Sequence, residues 1–440
     1  MKFDEQTLAD LEIVPSRGVK TSIFDFFNSA ETTGGKKKLE RFFTDGIQNT
    51  AQILTTQEAL KYFVKYVDSW EFPFEDRLLK DVTRYLKLRI DPTHATNVLE
   101  LKIVKMRFKE NYYDQHTGLL TLRKFLGQLQ EFTHKHSSDE DLPSRVSAML
   151  EEINSFLTNP ETALFLKEVN GTEVPLKYVY RFDKFFRTEV LTEALNLIDI
   201  CFEFDVYLAF ADVIEEKNFV FPEFVSADSP VFNVKGLYHP FLKDPKSYDI
   251  NLSDGNGFIF LTGPNMAGKT TFLKSCGVSL YLAHLGLAVP AESMEITIFD
   301  SLVSSIETQD DLQLGYSYFY SEVRRVKSVA ETISTSESSF IILDELFKGT
   351  NVHDAYEASK KVIQGFANWK NHIYFLSSHL IELVEDEETK KLMNCKCFDA
   401  EIIDGEFHFP YELNEGVSDK RLGLMILERE KVFDILNNVS

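Results

Sequence analysis

From Gly263 the chain reads Gly-Pro-Asn-Met-Ala-Gly-Lys-Thr-Thr271, with the two glycines followed by Lys269 and Thr270. That spacing suits a loop whose backbone N–H groups wrap a phosphate chain, with Lys269 on the outer phosphates and Thr270 on Mg²⁺. Gly263, Pro264, Asn265, Met266, Ala267, Gly268, Lys269, Thr270 and Thr271 are therefore the candidate nucleotide-binding residues. Further along, Phe340-Ile-Ile-Leu-Asp-Glu345 runs four apolar residues into two carboxylates. Asp344 is placed to hold Mg²⁺ through water beside Thr270. Glu345 is a candidate to orient or deprotonate an attacking water. Phe375-Leu-Ser-Ser-His379 is a third strand-like run, and its His379 can contact the γ-phosphate or the water. Between these lies Asp310-Asp-Leu-Gln-Leu-Gly-Tyr-Ser-Tyr-Phe-Tyr-Ser-Glu322, leading into a helix through Val323 and Val326. Gly315 and Ser317 there mark either a second helix N-terminus suited to an anion or an ordinary capped helix with an aromatic face.

These residues need a strand, a tight loop and a helix to hold them. Phe258 to Leu261 is a short β-rich run, and Thr271 to Leu285 spaces Phe272, Cys276, Val278, Leu280 and Ala283 as a helix does. Phe340 to Leu343 and Ile373 to Leu376 read as buried parallel strands. Ala400 to Ile403 and Glu406 to Phe409, joined by Asp404-Gly405, read as an antiparallel hairpin. The C-terminal half is thus α/β with a mainly parallel sheet. Upstream, Met1 to Lys20 reads as an irregular arm, and Thr21 to Phe43 as helical on either side of Thr32-Thr-Gly-Gly35. From Gln48 to Lys217 helix follows helix, broken at Phe72-Pro73, Asp91-Pro92, His136 to Pro143, Asn159-Pro160 and Asn170-Gly171. The texture changes after Phe219, with Pro222, Pro230 and Pro240 among short β-rich pieces. The expected division is 1–44 as arm and start of a core, 45–217 as an all-helical domain, and 218–440 as a phosphate-loop domain.

With 440 residues, 44% apolar and 26% charged, the composition is that of a soluble multidomain protein. No transmembrane run is present, and the polar start Met1-Lys-Phe-Asp-Glu5 is no signal peptide, so the expected location is cytoplasmic, with no membrane partner. Four cysteines make no disulfide framework. The net charge of −22 disfavours a general grip on a nucleic-acid backbone, which needs Lys and Arg to release counterions. Local basic stretches exist at Lys36-Lys-Lys38 with Arg41, and at Lys102, Lys105, Arg107 and Lys109; each reads equally as a solvated face.

Taken together, the motifs resemble the ATPase domain of the MutS family of mismatch-repair ATPases, related to ABC-type nucleotide-binding domains. The loop is similar to the family's Gly-Pro-Asn-Met-Gly-Gly-Lys-Ser-Thr, differing at Ala267 and Thr270. Leu343-Asp-Glu-Leu-Phe-Lys-Gly-Thr-Asn351 resembles the Asp-Glu box, with Phe347-Lys348 where the family has Gly-Arg and with Asp354 following. Asp310 to Phe319 resembles the third motif, with Tyr318 in place of its Thr, and Ser378-His379 resembles the last. His239-Pro240, Gly416-Val-Ser418 and Gly423-Leu424 also match, as do Ser22-Ile-Phe24, Thr33-Gly-Gly35 and Gln57 at the start of the helical core. The resemblance implies ATP and Mg²⁺ as ligands, an ATPase, a helical core and lever region, and an ATPase domain that also dimerises. It implies a homodimer in which Ser317, Phe319 and the Gly315 backbone act on ATP held by the partner's loop. It also implies a clamp on mismatched, branched or otherwise unusual DNA in repair or recombination. Family members that read mismatches carry an N-terminal Phe-x-Glu wedge domain and a connector ahead of the core. This chain starts almost at the core, and Phe202-Glu-Phe204 and Trp70-Glu-Phe72 fall in or beside helices, so the expected selectivity is for DNA structure. Two alternatives stand beside that reading: an ATP-driven switch acting on a protein partner without DNA, which the acidic balance favours, and a phosphate-loop kinase or transferase. Phe232, Tyr238 and Tyr248 are either adenine-stacking or core aromatics.

Overall fold

The run Phe258-Ile-Phe-Leu-Thr262 shows no polar alternation because both faces of its strand are covered, as parallel sheets require. The computed structural model describes the chain except for residues 16–20, 47–48, 90–97, 140, 254–256, 307–317, 404–405, 419–426, 428 and 438–440. By its contacts the chain forms two units: Met1–Asp25, Gly46–Ile53 and Lys217–Ser440 in the first, Phe26–Asp45 and Leu54–Glu216 in the second.

The first unit carries twelve described strands: β1 (Glu223–Phe224), β2 (Phe232–Leu237), β3 (Tyr248–Leu252), β4 (Phe258–Thr262), β5 (Ser293–Ile296), β6 (Ser301–Ser305), β7 (Ser339–Asp344), β8 (His372–Ser377), β9 (Asn394–Phe398), β10 (Glu401–Ile403), β11 (Glu406–His408) and β12 (Leu413–Glu415). Six form one sheet in the order β12-β9-β4-β8-β7-β6, parallel except at the β12 edge. Four form a second sheet, β1-β5-β2-β3, and β10 and β11 pair as an antiparallel hairpin whose turn lies outside the described residues. One face of the six-stranded sheet packs Phe260, Ile341 and Leu376 against Val329 and Ile333 of helix Tyr318–Thr335 and Ile363 and Phe366 of helix Val352–Phe366. On the other face, Phe340 and Phe375 meet Phe232, Phe272 and Phe299. These aromatic contacts make the two sheets one core.

The sequence pattern of Met1 to Lys20 suggests an irregular arm, yet its start is ordered. Asp4 caps helix Glu5–Asp10 by accepting from the Thr7 N–H, and Lys2 bridges to Ser301 beside β6. Asp10 accepts from Ser304 Oγ (2.7 Å) and the Ile306 N–H (2.8 Å). Six residues are too few to read as a helix from periodicity; tertiary partners stabilise this one.

In the second unit every described element is helical. Its core is aromatic: Trp70 stacks on His136 and Phe204, and Phe63 on Tyr207. Helix Thr33–Asp45 runs straight through Gly34 and Gly35, where a break was expected. A Cβ on Gly34 would sit 2.2 Å from the Phe202 ring, and one on Gly35 2.1 Å from Asp205 Oδ2. The glycines allow close packing there and do not end the helix. Asp205 in turn accepts from the N–H groups of Glu31 and Thr32 just ahead of this helix. Among the described residues no helix is long and apolar enough to cross a membrane.

Candidate nucleotide site

β4 ends at Thr262 and helix Lys269–His284 begins six residues after Gly263, so the loop between them is short and strained in defined places. Gly263 has φ +139°, and a Cβ there would lie 2.5 Å from the Phe398 carbonyl oxygen of neighbouring β9. Gly268 has φ +106° and caps the helix. Both positions exclude side chains, which leaves the backbone bare toward a ligand. Ala267 is fully buried and is not among the positive-φ residues, so a methyl group is accommodated where the family's loop has glycine. The first-turn N–H groups of the 16-residue helix have no intrahelical acceptors and face the loop, the arrangement that attracts phosphate.

β8 lies between β4 and β7, and this order brings the second and third motifs to the loop. Asp344 pairs in register with Ser377, whose hydroxyl donates to Asp344 Oδ1. The other oxygen, Asp344 Oδ2, accepts from Thr270 Oγ1 at 2.8 Å. Two hard oxygen donors, one from the first turn of the helix and one from the end of β7, thus meet at the rim of the loop, a set suited to Mg²⁺ shared with phosphates. Glu345 follows in a left-handed turn (φ +58°), held by its N–H donating to the Ser377 carbonyl. Its Oε1 is 2.9 Å from His379 Nε2 and its Oε2 is 3.2 Å from Lys348 Nζ. His379 Nε2 also lies 2.9 Å from Asn265 Oδ1, tying the third motif to the loop. The His379 hydrogen bond, with the Lys348 charge beside it, holds the Glu345 carboxyl down at about 2 despite burial.

Lys269 is only 5% exposed and donates to the carbonyls of Gly263 (2.8 Å) and Pro264 (3.1 Å). Burial lowers its pKa, opposed by Glu345 and Asp344. Two carbonyls are weak compensation for a buried ammonium, so anionic oxygens at this spot would displace them favourably.

Residues 259–436 match the protein-family model for MutS domain V. The chain is 28% identical over 357 residues to the DNA mismatch repair protein MutS of Wolbachia pipientis wMel, covering 80% of this chain and 40% of that protein. It is 33% identical over 227 residues to the protein of the same name from Ehrlichia ruminantium (strain Gardel), covering 51% of this chain and 28% of that one. Residues 259–436 are thus similar to MutS domain V, and the chain is similar over a longer stretch to proteins named DNA mismatch repair protein MutS. It spans 28% to 40% of the length of these two relatives.

In this MutS-like domain a cavity of about 450 Å³ opens beside the loop, lined by Lys269, Thr270, Thr271, Glu345, Tyr248, Lys246 and Tyr411 among others. Of the three aromatics proposed for a base, Tyr248 lines this cavity, packed edge-on to Phe272 and Phe398; burial pushes its hydroxyl up to about 12. Phe232 is a core residue against Phe340, and Tyr238 packs near Phe219 and is not in the lining. Met266, expected in the loop, is 74% exposed at the cavity rim. Ser317 and Gly315 lie outside the described residues, while the Phe319 ring packs 5.9 Å from Phe347. Several contributors were not picked out from the sequence: Ser377 on Asp344, Lys348 on Glu345, and Tyr411 in the lining. Ser377 and Lys348 sit inside motifs already noted, so register was the available signal. Tyr411 had none.

Proposed function

We propose that this chain binds ATP with Mg²⁺ at the Gly263–Thr271 loop and hydrolyses it to ADP and phosphate. The observation that carries the reading is the 2.8 Å bond from Thr270 to Asp344, with Glu345 as the next residue in the chain. Lys269 would leave its two carbonyls for the outer phosphates, and Thr270 and Asp344 would hold Mg²⁺, which would neutralise phosphate charge. Water attacks the γ-phosphorus as its bond to the bridging oxygen breaks, with ADP as the leaving group and the water's proton passing to the released phosphate. A carboxylate held down at about 2 is a weak base, so Glu345 acts first by orienting that water, with His379 on the γ-phosphate side. A hydroxyl acceptor, as in a kinase, gains no support from this arrangement.

We further propose that residues 45–217 are the core and lever, that 218–440 are the ATPase and dimerisation domain, and that two copies share each ATP. Ser317 of one subunit would then meet the nucleotide of the other. The dimer would act in the cytoplasm as a clamp on mismatched, branched or otherwise unusual DNA. The relatives' name, DNA mismatch repair protein MutS, and the phosphate-loop geometry support this reading. The net charge of −22 favours a second one, in which the same ATP cycle drives a protein partner without DNA. The deciding experiment is the ATPase rate without DNA and with duplex, mismatched and branched DNA at low salt. A rate that responds to unusual DNA supports the clamp; a rate indifferent to every DNA, with no gel shift, supports the protein switch.

A further inference from the structure

Glu322 is a carboxylate with no role in the chemistry above, yet it is only 5% exposed. It sits in the first turns of helix Tyr318–Thr335 and faces the turn after Glu345. Its Oε1 accepts from the Lys348 N–H at 3.0 Å and its Oε2 from the Gly349 N–H at 3.1 Å. Each oxygen thus takes one backbone donor of the turn. The turn needs such support. Glu345 and Phe347 both have left-handed backbones, φ +58° and +59°, conformations that cost a non-glycine residue free energy. Phe347 is buried, and its ring packs 5.9 Å from that of Phe319 on the same helix. One helix therefore grips the turn twice, by a ring and by a carboxylate. Burial raises the Glu322 pKa, and the two N–H groups, with the Lys348 charge, oppose that rise.

We infer that Glu322 is a positioning residue for hydrolysis: by holding the N–H groups of Lys348 and Gly349 it fixes the left-handed turn that presents the Glu345 carboxylate to water. Its two oxygens are engaged by the backbone of the turn. The inference rests on the proposed role of Glu345. The glutamine variant is the informative change, because its amide keeps the size but offers one acceptor oxygen where two N–H groups need acceptors.

The test compares the full-length wild type with Glu322→Gln, Glu322→Ala and Glu345→Gln. Steady-state hydrolysis and the Kd of a fluorescent ATP analogue are both measured, and thermal unfolding screens for folded protein. Displacement of a catalytic group by about an ångström costs up to about a hundredfold, so kcat in Glu322→Gln should fall about tenfold to a hundredfold. Its analogue Kd should stay within about threefold, since loop and Lys269 are unaltered. Normal kcat in folded Glu322→Gln and Glu322→Ala, beside an inactive Glu345→Gln, would overturn the positioning role alone. A Kd weakened as much as kcat falls would overturn it too, pointing to a general loss of site structure. An active Glu345→Gln would instead remove the hydrolytic reading on which it stands.

Discussion

At the scale of single residues the site is a set of charges held against one another. Lys269 is stored on two carbonyls, and Glu345 is shared between His379 and Lys348. Replacing Lys269 by Ala removes the only cation among the nine loop residues and should weaken ATP binding at least about tenfold, measured by titration with a fluorescent analogue. Glu345→Gln should retain ATP while slowing hydrolysis about a hundredfold or more, read by single-turnover assay, and should trap a closed dimer visible by size-exclusion chromatography with ATP. The same carboxylate makes a prediction about pH. Its folded pKa is depressed, from the ordinary 4.5 to about 2, so its ion pairs contribute stability above the unfolded value. That contribution is lost as pH falls through the window from 4.5 to about 2. The difference in melting temperature between wild type and Glu345→Gln should therefore shrink as pH falls through that window.

At the scale of elements the loop is shaped by its neighbours. The close approach of Gly263 to β9 and the left-handed cap at Gly268 require glycine, whereas Ala267 does not. Gly263→Ala should cost more than about 2 kcal/mol, since a backbone carbonyl and an unsuitable φ oppose the methyl together. Ala267→Gly should cost about 0.4–1 kcal/mol, chiefly through unfolded-chain entropy, and leave nucleotide affinity near wild type. Chemical denaturation and analogue binding check both. Helix Tyr318–Thr335 is pinned along its length as well: Glu322 holds the turn after β7, and Arg325 pairs with Asp4 and donates to the Ser304 carbonyl at the end of β6. The amino-terminal residues are thereby part of the phosphate-loop unit.

At the scale of the whole molecule the charge of −22 sets the terms for any DNA contact. Binding would have to run through local cations such as Lys102, Lys105, Arg107 and Lys109, which lie on or beside helix Val98–Arg107 of the second unit. The clamp reading therefore predicts retardation of branched DNA in a gel at about 50 mM salt that is largely lost by about 200 mM. Reversing the charge of Lys102 and Lys105 should abolish that shift while leaving DNA-free ATPase unchanged.

The phosphate loop, the strand-end carboxylates and the parallel α/β character were legible along the chain, because each is written as a local pattern: glycine spacing, unbroken apolar runs, helical periodicity. The same motifs carried the resemblance to MutS domain V. How the motifs meet came from the three-dimensional fold. Strand order put β8 between β4 and β7, register set Ser377 on Asp344, and packing made Gly34 and Gly35 helical and gave residues 5–10 a helix. Pairings between residues far apart in the chain leave no periodic trace, so Glu322 reads as an ordinary helical glutamate until the fold sets the Lys348 and Gly349 N–H groups against it.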